Sequence, residues 1–224
     1  MQLPRRPLGT ATGLCRSGLR AGFTLIELLA AMLILGILMA FLIPKIPEAI
    51  EQAKITASKK NLQEIYGGLL QYEGKFEKLP GKEDSGVRFF ACLIYDKVWE
   101  NTKGSAKKLT CPGVSTSALA TDGLPEEEWF VDRDIIDGGY SAYAGRNNEE
   151  FPLRKLSGKQ PLVATDNDPE MNFESTTLVL YGDGRVDSIE LATLMKQGIL
   201  AEDEEYLAVG PDSPLEDLRR LSLD

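Results

Sequence analysis

Carboxylates and thiols are the side chains of this chain best placed to do chemistry, because its 224 residues include no histidine. Ser–His and Cys–His nucleophile pairs are therefore absent. The three cysteines, Cys15, Cys92 and Cys111, do not make a zinc site without a histidine partner. No phosphate-binding loop or dinucleotide fingerprint occurs, and Gly182-Asp-Gly reads as a turn. Carboxylate pairs can hydrolyse glycosides, but the pattern supplies no pocket for a sugar, so no catalytic residue is assigned and the chain is read as a non-enzyme. Two carboxylate groups could serve a cation: Asp166, Asp168 and Glu170, or Asp183 and Asp187. Calcium takes roughly six to eight oxygens, and neither group has the spacing of a helix–loop–helix calcium loop. The bland reading is that these are turn-forming carboxylates. No metal or cofactor is assigned, and calcium alone stays open.

The remaining carboxylate of note is Glu27. From Phe23 to Ile43 the chain runs through 21 residues of which only Glu27 is charged. About 20 apolar residues suffice for a helix to cross the hydrocarbon core of a bilayer. A carboxylate at the centre of such a span costs about 2.5–3.5 kcal/mol. Near one end it costs less, and it calls either for a buried partner or for snorkelling to the interface. The preceding 22 residues carry Arg5, Arg6, Arg16 and Arg20 and no acid, which places them on the cytoplasmic side. They read as a processing segment and stand outside the fold.

The run Gly22-Phe23-Thr24-Leu25-Ile26-Glu27, behind a basic leader and ahead of an apolar helix, resembles the signal of type IV pilins and of the pseudopilins of type II secretion. Pro44 falls where that family often carries a proline. The resemblance covers about a fifth of the chain. It implies that a prepilin peptidase cuts between Gly22 and Phe23 and methylates the new amine of Phe23. Glycine suits that cut, since without a Cβ its backbone can enter a tight protease site. It further implies that Glu27 pairs with the Phe23 ammonium of a neighbouring copy, so that two desolvated charges offset each other. The partners implied are the peptidase, copies of the chain and other pilins or pseudopilins, an inner-membrane assembly platform and the lipid bilayer. The location implied is the bacterial inner membrane, crossed once, with the N-terminus cytoplasmic and the head periplasmic or extracellular, before assembly into a filament.

Lys and Arg number 25 and Asp and Glu 34, a formal charge of -9. Loss of the four leader arginines would leave 21 basic and 34 acidic side chains, a formal charge of -13. An acidic body argues against a nucleic-acid partner, which needs a basic face. Cys15 would leave with the leader. Cys92 and Cys111 remain in a compartment where disulfides persist, either as a bridge or as two thiols.

The elements that must carry these groups are expected as follows. Residues 1–22 form the leader, 23–43 the membrane half of an N-terminal helix, 44–74 its amphipathic half, and 75–224 an extracytoplasmic head. Leu62, Ile65, Tyr66, Leu69 and Leu70 form one apolar stripe of helical period, ending near Glu73 with Gly74 as the stop. Gly67-Gly68 predicts either a bend or close packing of a sheet. Ser85–Trp99 predicts a short helix, with Val87, Phe90, Ala91, Ile94 and Val98 on one side, and Lys103–Lys108 a basic loop. Tyr140–Ala144 and Leu162–Thr165 read as strands. Thr176–Tyr181, Gly182-Asp-Gly and Arg185-Val read as a hairpin. Asp187-Ser-Ile-Glu190 has capping-box form and predicts a helix to about Gln197. Ser213-Pro-Leu-Glu216 predicts another over Pro214–Leu221. Glu202 to Glu205 read as a solvated acidic loop. The fold class expected is α+β, a long helix packed on a small antiparallel sheet with extra short helices, the sheet drawn partly from the pilin resemblance.

The body also resembles, more weakly, the prepilin-like proteins common in planctomycetes, through Leu109-Thr-Cys-Pro, Tyr140-Ser-Ala-Tyr and the stretch from Asn172 to Val186. Those proteins often carry a histidine ten residues before an Asp-Gly pair. Here Asp183-Gly184 fits and Phe173 stands in the histidine position, which removes any metal or acid–base role for it. The expectation for function is a structural subunit of a type IV pilus or type II secretion pseudopilus. The alternative is a membrane-tethered binding module that never polymerises.

Overall fold

The computed structural model describes residues 23–112, 114–121, 123–165, 173, 175–201, 204 and 206–224. The chain divides into two compact units between Ile46 and Pro47. In the first, helix α1 spans Leu25–Leu42, and a 3-10 turn follows over Ile43–Lys45. Pro44 is the second residue of that turn, and its missing N–H falls where the α-helical bonding gives way to the 3-10 turn. No side chain of α1 is buried.

Helix α2 spans Ile46–Phe76, and from Pro47 onward it belongs to the second unit. Its buried side is Ile55, Ser58, Leu62, Ile65, Gly68, Leu69 and Tyr72, spaced by three or four residues as one helical face requires. Leu62, Ile65 and Leu69 of the expected stripe are completely buried, whereas Tyr66 is half-buried and Leu70 is exposed. The helix does not stop at Glu73. Gly74 continues it, and it ends at Phe76, followed by Glu77 in the left-handed region at φ 54°.

Helix α3 spans Arg88–Tyr95 and α4 spans Lys103–Lys108. The second corrects the expected loop: the Thr102 hydroxyl accepts from the Ser105 N–H, capping a turn that glycine and three lysines do not announce. Five strands follow, β1 (Tyr143–Arg146), β2 (Pro161–Thr165), β3 (Thr176–Tyr181), β4 (Val186–Glu190) and β5 (Leu221–Ser222). They form one antiparallel sheet in the order β4-β3-β2-β1-β5. The fold is α+β, as expected.

Two helices expected near the C-terminus are corrected. Val186–Glu190 pairs with β3 at five positions, from Thr176 opposite Glu190 to Leu180 opposite Val186. That ladder outweighs the capping-box form of Asp187–Glu190, and the helix that follows, α5, covers only Leu191–Lys196. In the Pro214–Leu221 stretch a single 3-10 turn forms over Leu218–Arg220, and Leu221 then pairs with Arg146 as β5.

The sheet is buried on both faces, which explains why β1, β2 and β3 are buried at every residue instead of alternating. Tyr143, Val163, Leu178 and Leu180 belong to the core shared with α2 and α3. Ala144, Ala164, Val179 and Tyr181 belong to a second core with Leu191, Leu194, Leu200, Leu207 and Leu218. Phe173 is buried in the first core, so the position that carries histidine in the weaker resemblance is here a packing residue. At the β3–β4 turn Gly184 has φ 82°, and a Cβ there would meet the Tyr66 ring at 2.6 Å. Only glycine meets both demands.

Gly68 is also a close-approach position, and the neighbour is not a strand. A Cβ at Gly68 would lie 2.7 Å from Leu93 Cδ1 and 2.8 Å from Trp99 Cζ2. The glycine pair therefore admits α3 and the tryptophan after it, in place of the sheet anticipated.

Candidate functional site

The candidate site is the start of α1. Thr24 is the N-cap, extended at φ −80° and ψ 151°. Its hydroxyl accepts from the Glu27 N–H at 3.3 Å, and Glu27 Oε2 accepts from the Thr24 N–H and the Thr24 hydroxyl, both at 2.9 Å. This reciprocal arrangement satisfies helix-end donors that a bilayer would leave bare. It also holds the one acidic side chain of the helix back toward Phe23. Phe23 is 84 % exposed, and Gly22 lies outside the described residues.

Thr24 is a participant that the sequence reading passed over. Its signal was present, since Thr24-Leu-Ile-Glu27 has the threonine-to-glutamate spacing of a capping box. Behind it the side chains from Leu25 to Ile43 show no polar stripe, and every large apolar one among them is more than half exposed. Among the described residues one helical stretch is long and apolar enough to cross a membrane, and α1 opens it.

The other sequence-derived candidates do not join this site. Asp183 Oδ1 accepts from the Arg185 N–H at 3.1 Å, and Asp187 pairs with Arg185 at 3.3 Å, so each has a turn or ion-pair partner. Asp166, Asp168 and Glu170 lie outside the described residues. Among the described residues no three Cys, Asp or Glu side chains converge as metal ligands would.

Cys92 and Cys111 are both buried and neither is in a disulfide, so of the two alternatives the structure has the two thiols and not the bridge. Cys111 Sγ lies 3.9 Å from Ser58 Oγ, whose hydroxyl shares a 2.8 Å hydrogen bond with Tyr143. Cys92 sits on α3 beside Leu93, the residue that faces Gly68. Ser58 and Gly68 are about 15 Å apart along α2 at ~1.5 Å per residue. A disulfide needs Cα atoms within about 7 Å, so the fold keeps the two thiols apart. Burial pushes the Cys92 thiol up, away from the reactive thiolate.

Comparison with known proteins bears on the same segment. Residues 19–43 match the family model of the prokaryotic N-terminal methylation motif. The chain is 39% identical over 54 residues to the type II secretion system core protein G of Pseudomonas aeruginosa. By its N-terminal segment the chain is similar to the type IV pilins and pseudopilins. The match to core protein G covers 24% of this chain and 38% of that relative. The chain thus spans well under two thirds of the relative's length, and the family likeness rests on the N-terminal part. No solved structure matches the chain. The methylation motif leads into a helix long and apolar enough to anchor the chain in a membrane.

Proposed function

We propose that this pilin-like chain is a filament subunit of a type II secretion pseudopilus or type IV pilus, and that its role is structural, not catalytic. In this reading residues 1–22 are removed after Gly22, Phe23 becomes an N-methylated terminus, 23–43 cross the inner membrane, and 44–224 lie outside. The observation that carries it is α1 itself, a helix that begins at the methylation motif and buries none of its apolar side chains within the chain. Such a surface needs lipid before assembly and other helices after it. In a bilayer helices associate through close packing and buried polar pairs. Glu27 supplies the polar pair by taking the Phe23 ammonium of a neighbour, and that exchange sets the axial register.

The test is Glu27→Ala in full-length chain expressed with its secretion machinery. Intact mass should show normal cleavage and methylation at Phe23, while the sheared filament fraction falls at least tenfold. Filaments at wild-type yield would refute the register role of Glu27. Wild-type chain found only in the membrane after shearing would replace the subunit reading with a tethered module.

A further inference from the structure

Among the described residues the head carries a surface at odds with the overall charge of the chain. Lys103 and Lys107 of α4 pair with Glu126 at 2.9 and 3.5 Å, and Lys108 pairs with Glu64 of α2 at 2.6 Å. Lys60 reaches the same Glu64 at 3.7 Å. Four ammonium groups thus share two carboxylates on one contiguous face, and their side chains remain 43–76% exposed. Glu64 and Glu126 are more covered, at 31% and 18%. The acids lie inside and the cations face outward. Hydrogen bonding and attraction from the lysines hold both carboxyls below their ordinary value, so the pairs stay ionised. Glu127 also acts on Lys103, so four lysines meet three carboxylates and the face keeps a surplus of one positive charge. A shallow groove runs beside it, with Asn61, Lys107 and Lys108 among its walls.

The remainder of the chain has the opposite sign. With these seven residues and the four leader arginines set aside, 17 basic side chains face 31 acidic ones. Heads of that charge repel one another when packed side by side, as the proposed filament requires. Repulsion between like-charged surfaces is avoided when a patch of opposite sign lies in the contact. We propose that the face formed by Lys60, Lys103, Lys107 and Lys108 docks the acidic head of a second copy of this chain. The proposal rests on the filament reading above. The partner is the chain itself because assembly brings a strongly acidic surface to this face at high local concentration, and the surplus positive charge matches it.

The test uses full-length chain with its machinery, comparing wild type, Lys103→Glu/Lys107→Glu and the milder Lys103→Gln/Lys107→Gln. Mixed filaments of unlabelled and nitrogen-15-labelled copies are treated with a carbodiimide, which joins touching lysines and carboxylates, and isotope-mixed peptides report contacts between copies. Isotope-mixed links from Lys60, Lys103, Lys107 or Lys108 are expected, with sheared filament reduced at least tenfold in the Glu variant and less in the Gln variant. All three chains should be processed equally and melt alike. Normal filament yield from the Glu variant, or links from these lysines only within one copy, would overturn the docking face and leave the filament reading intact. Absence of sheared filament from wild type would instead remove the filament reading, and the docking face with it.

Discussion

Gly67 and Gly68 are neighbours on α2, yet one added methyl should shift stability in opposite directions at the two positions. Alanine in place of a helix-interior glycine gains about 0.5–1 kcal/mol, mostly by restricting the unfolded chain. At Gly67 a Cβ meets nothing within 4 Å, so Gly67→Ala should keep that gain. At Gly68 the Cβ would press on Leu93 Cδ1 at 2.7 Å and on Trp99 Cζ2 and Cε2 at 2.8 and 3.0 Å. Leu93 is completely buried, and the Trp99 N–H is bonded to the Leu93 carbonyl at 2.6 Å. Neither group can retreat without moving the other. Overpacking of a tight core costs roughly 1–3 kcal/mol, so the two variants should differ by about that amount. For a domain of this size each kcal/mol shifts the melting temperature by about 2–4 °C, and Gly68→Ala should therefore melt roughly 2–12 °C below Gly67→Ala. Thermal unfolding of detergent-solubilised full-length chain, followed by near-ultraviolet circular dichroism, measures the gap. Gly68→Ala melting at or above Gly67→Ala would refute the close approach of α3 and Trp99 to this turn of α2.

Other expectations follow from the same geometry. Adding a reductant should leave the melting temperature unchanged, and processed chain unfolded in denaturant should take up two alkylating groups, at Cys92 and Cys111, as read by mass. Arg146 is buried in β1 with no carboxylate partner among the described residues, its guanidinium pushed down to about 10 by burial and, secondarily, by nearby Arg220. It donates to the Phe151 and Pro161 carbonyls at 2.9 and 3.0 Å, so Arg146→Ala should destabilise by about 2–4 kcal/mol in urea unfolding. Glu64 is held below its ordinary 4.5, chiefly by its hydrogen bond from Lys108. The folded state therefore binds that proton less readily than the unfolded chain, so the stability it contributes is present above about pH 4.5 and is lost as pH falls below it. Lys108→Met should flatten that loss, seen as a shallower drop in melting temperature between roughly pH 5 and pH 3.

What could be read without coordinates was what depends on near neighbours along the chain. The methylation motif, the 21-residue apolar run from Phe23 to Ile43 and the hairpin around Gly182-Asp-Gly are each complete within one continuous stretch of chain. So is the capping box of Thr24 and Glu27, which needs only a threonine and a glutamate three residues apart, and it was legible although passed over. The stripe of α2 was half legible. Period alone admits Leu70, and only the elements packed on α2 decide that Leu70 is exposed while Ile55 and Tyr72 are covered.

The tertiary structure decided everything whose partner lies far away in sequence. Asp187–Glu190 has the local form of a helix start and becomes a strand because Thr176–Leu180 offers it a full ladder. Leu221 joins the sheet by pairing with Arg146, which lies far away in sequence. The two thiols look bridgeable at 19 positions apart, yet one settles by Ser58 and the other beside the Gly68 contact. Local propensity contributes tenths of a kcal/mol per residue, whereas burying a large apolar side chain contributes roughly 1.5–3. Where the two disagree, packing between distant segments prevails.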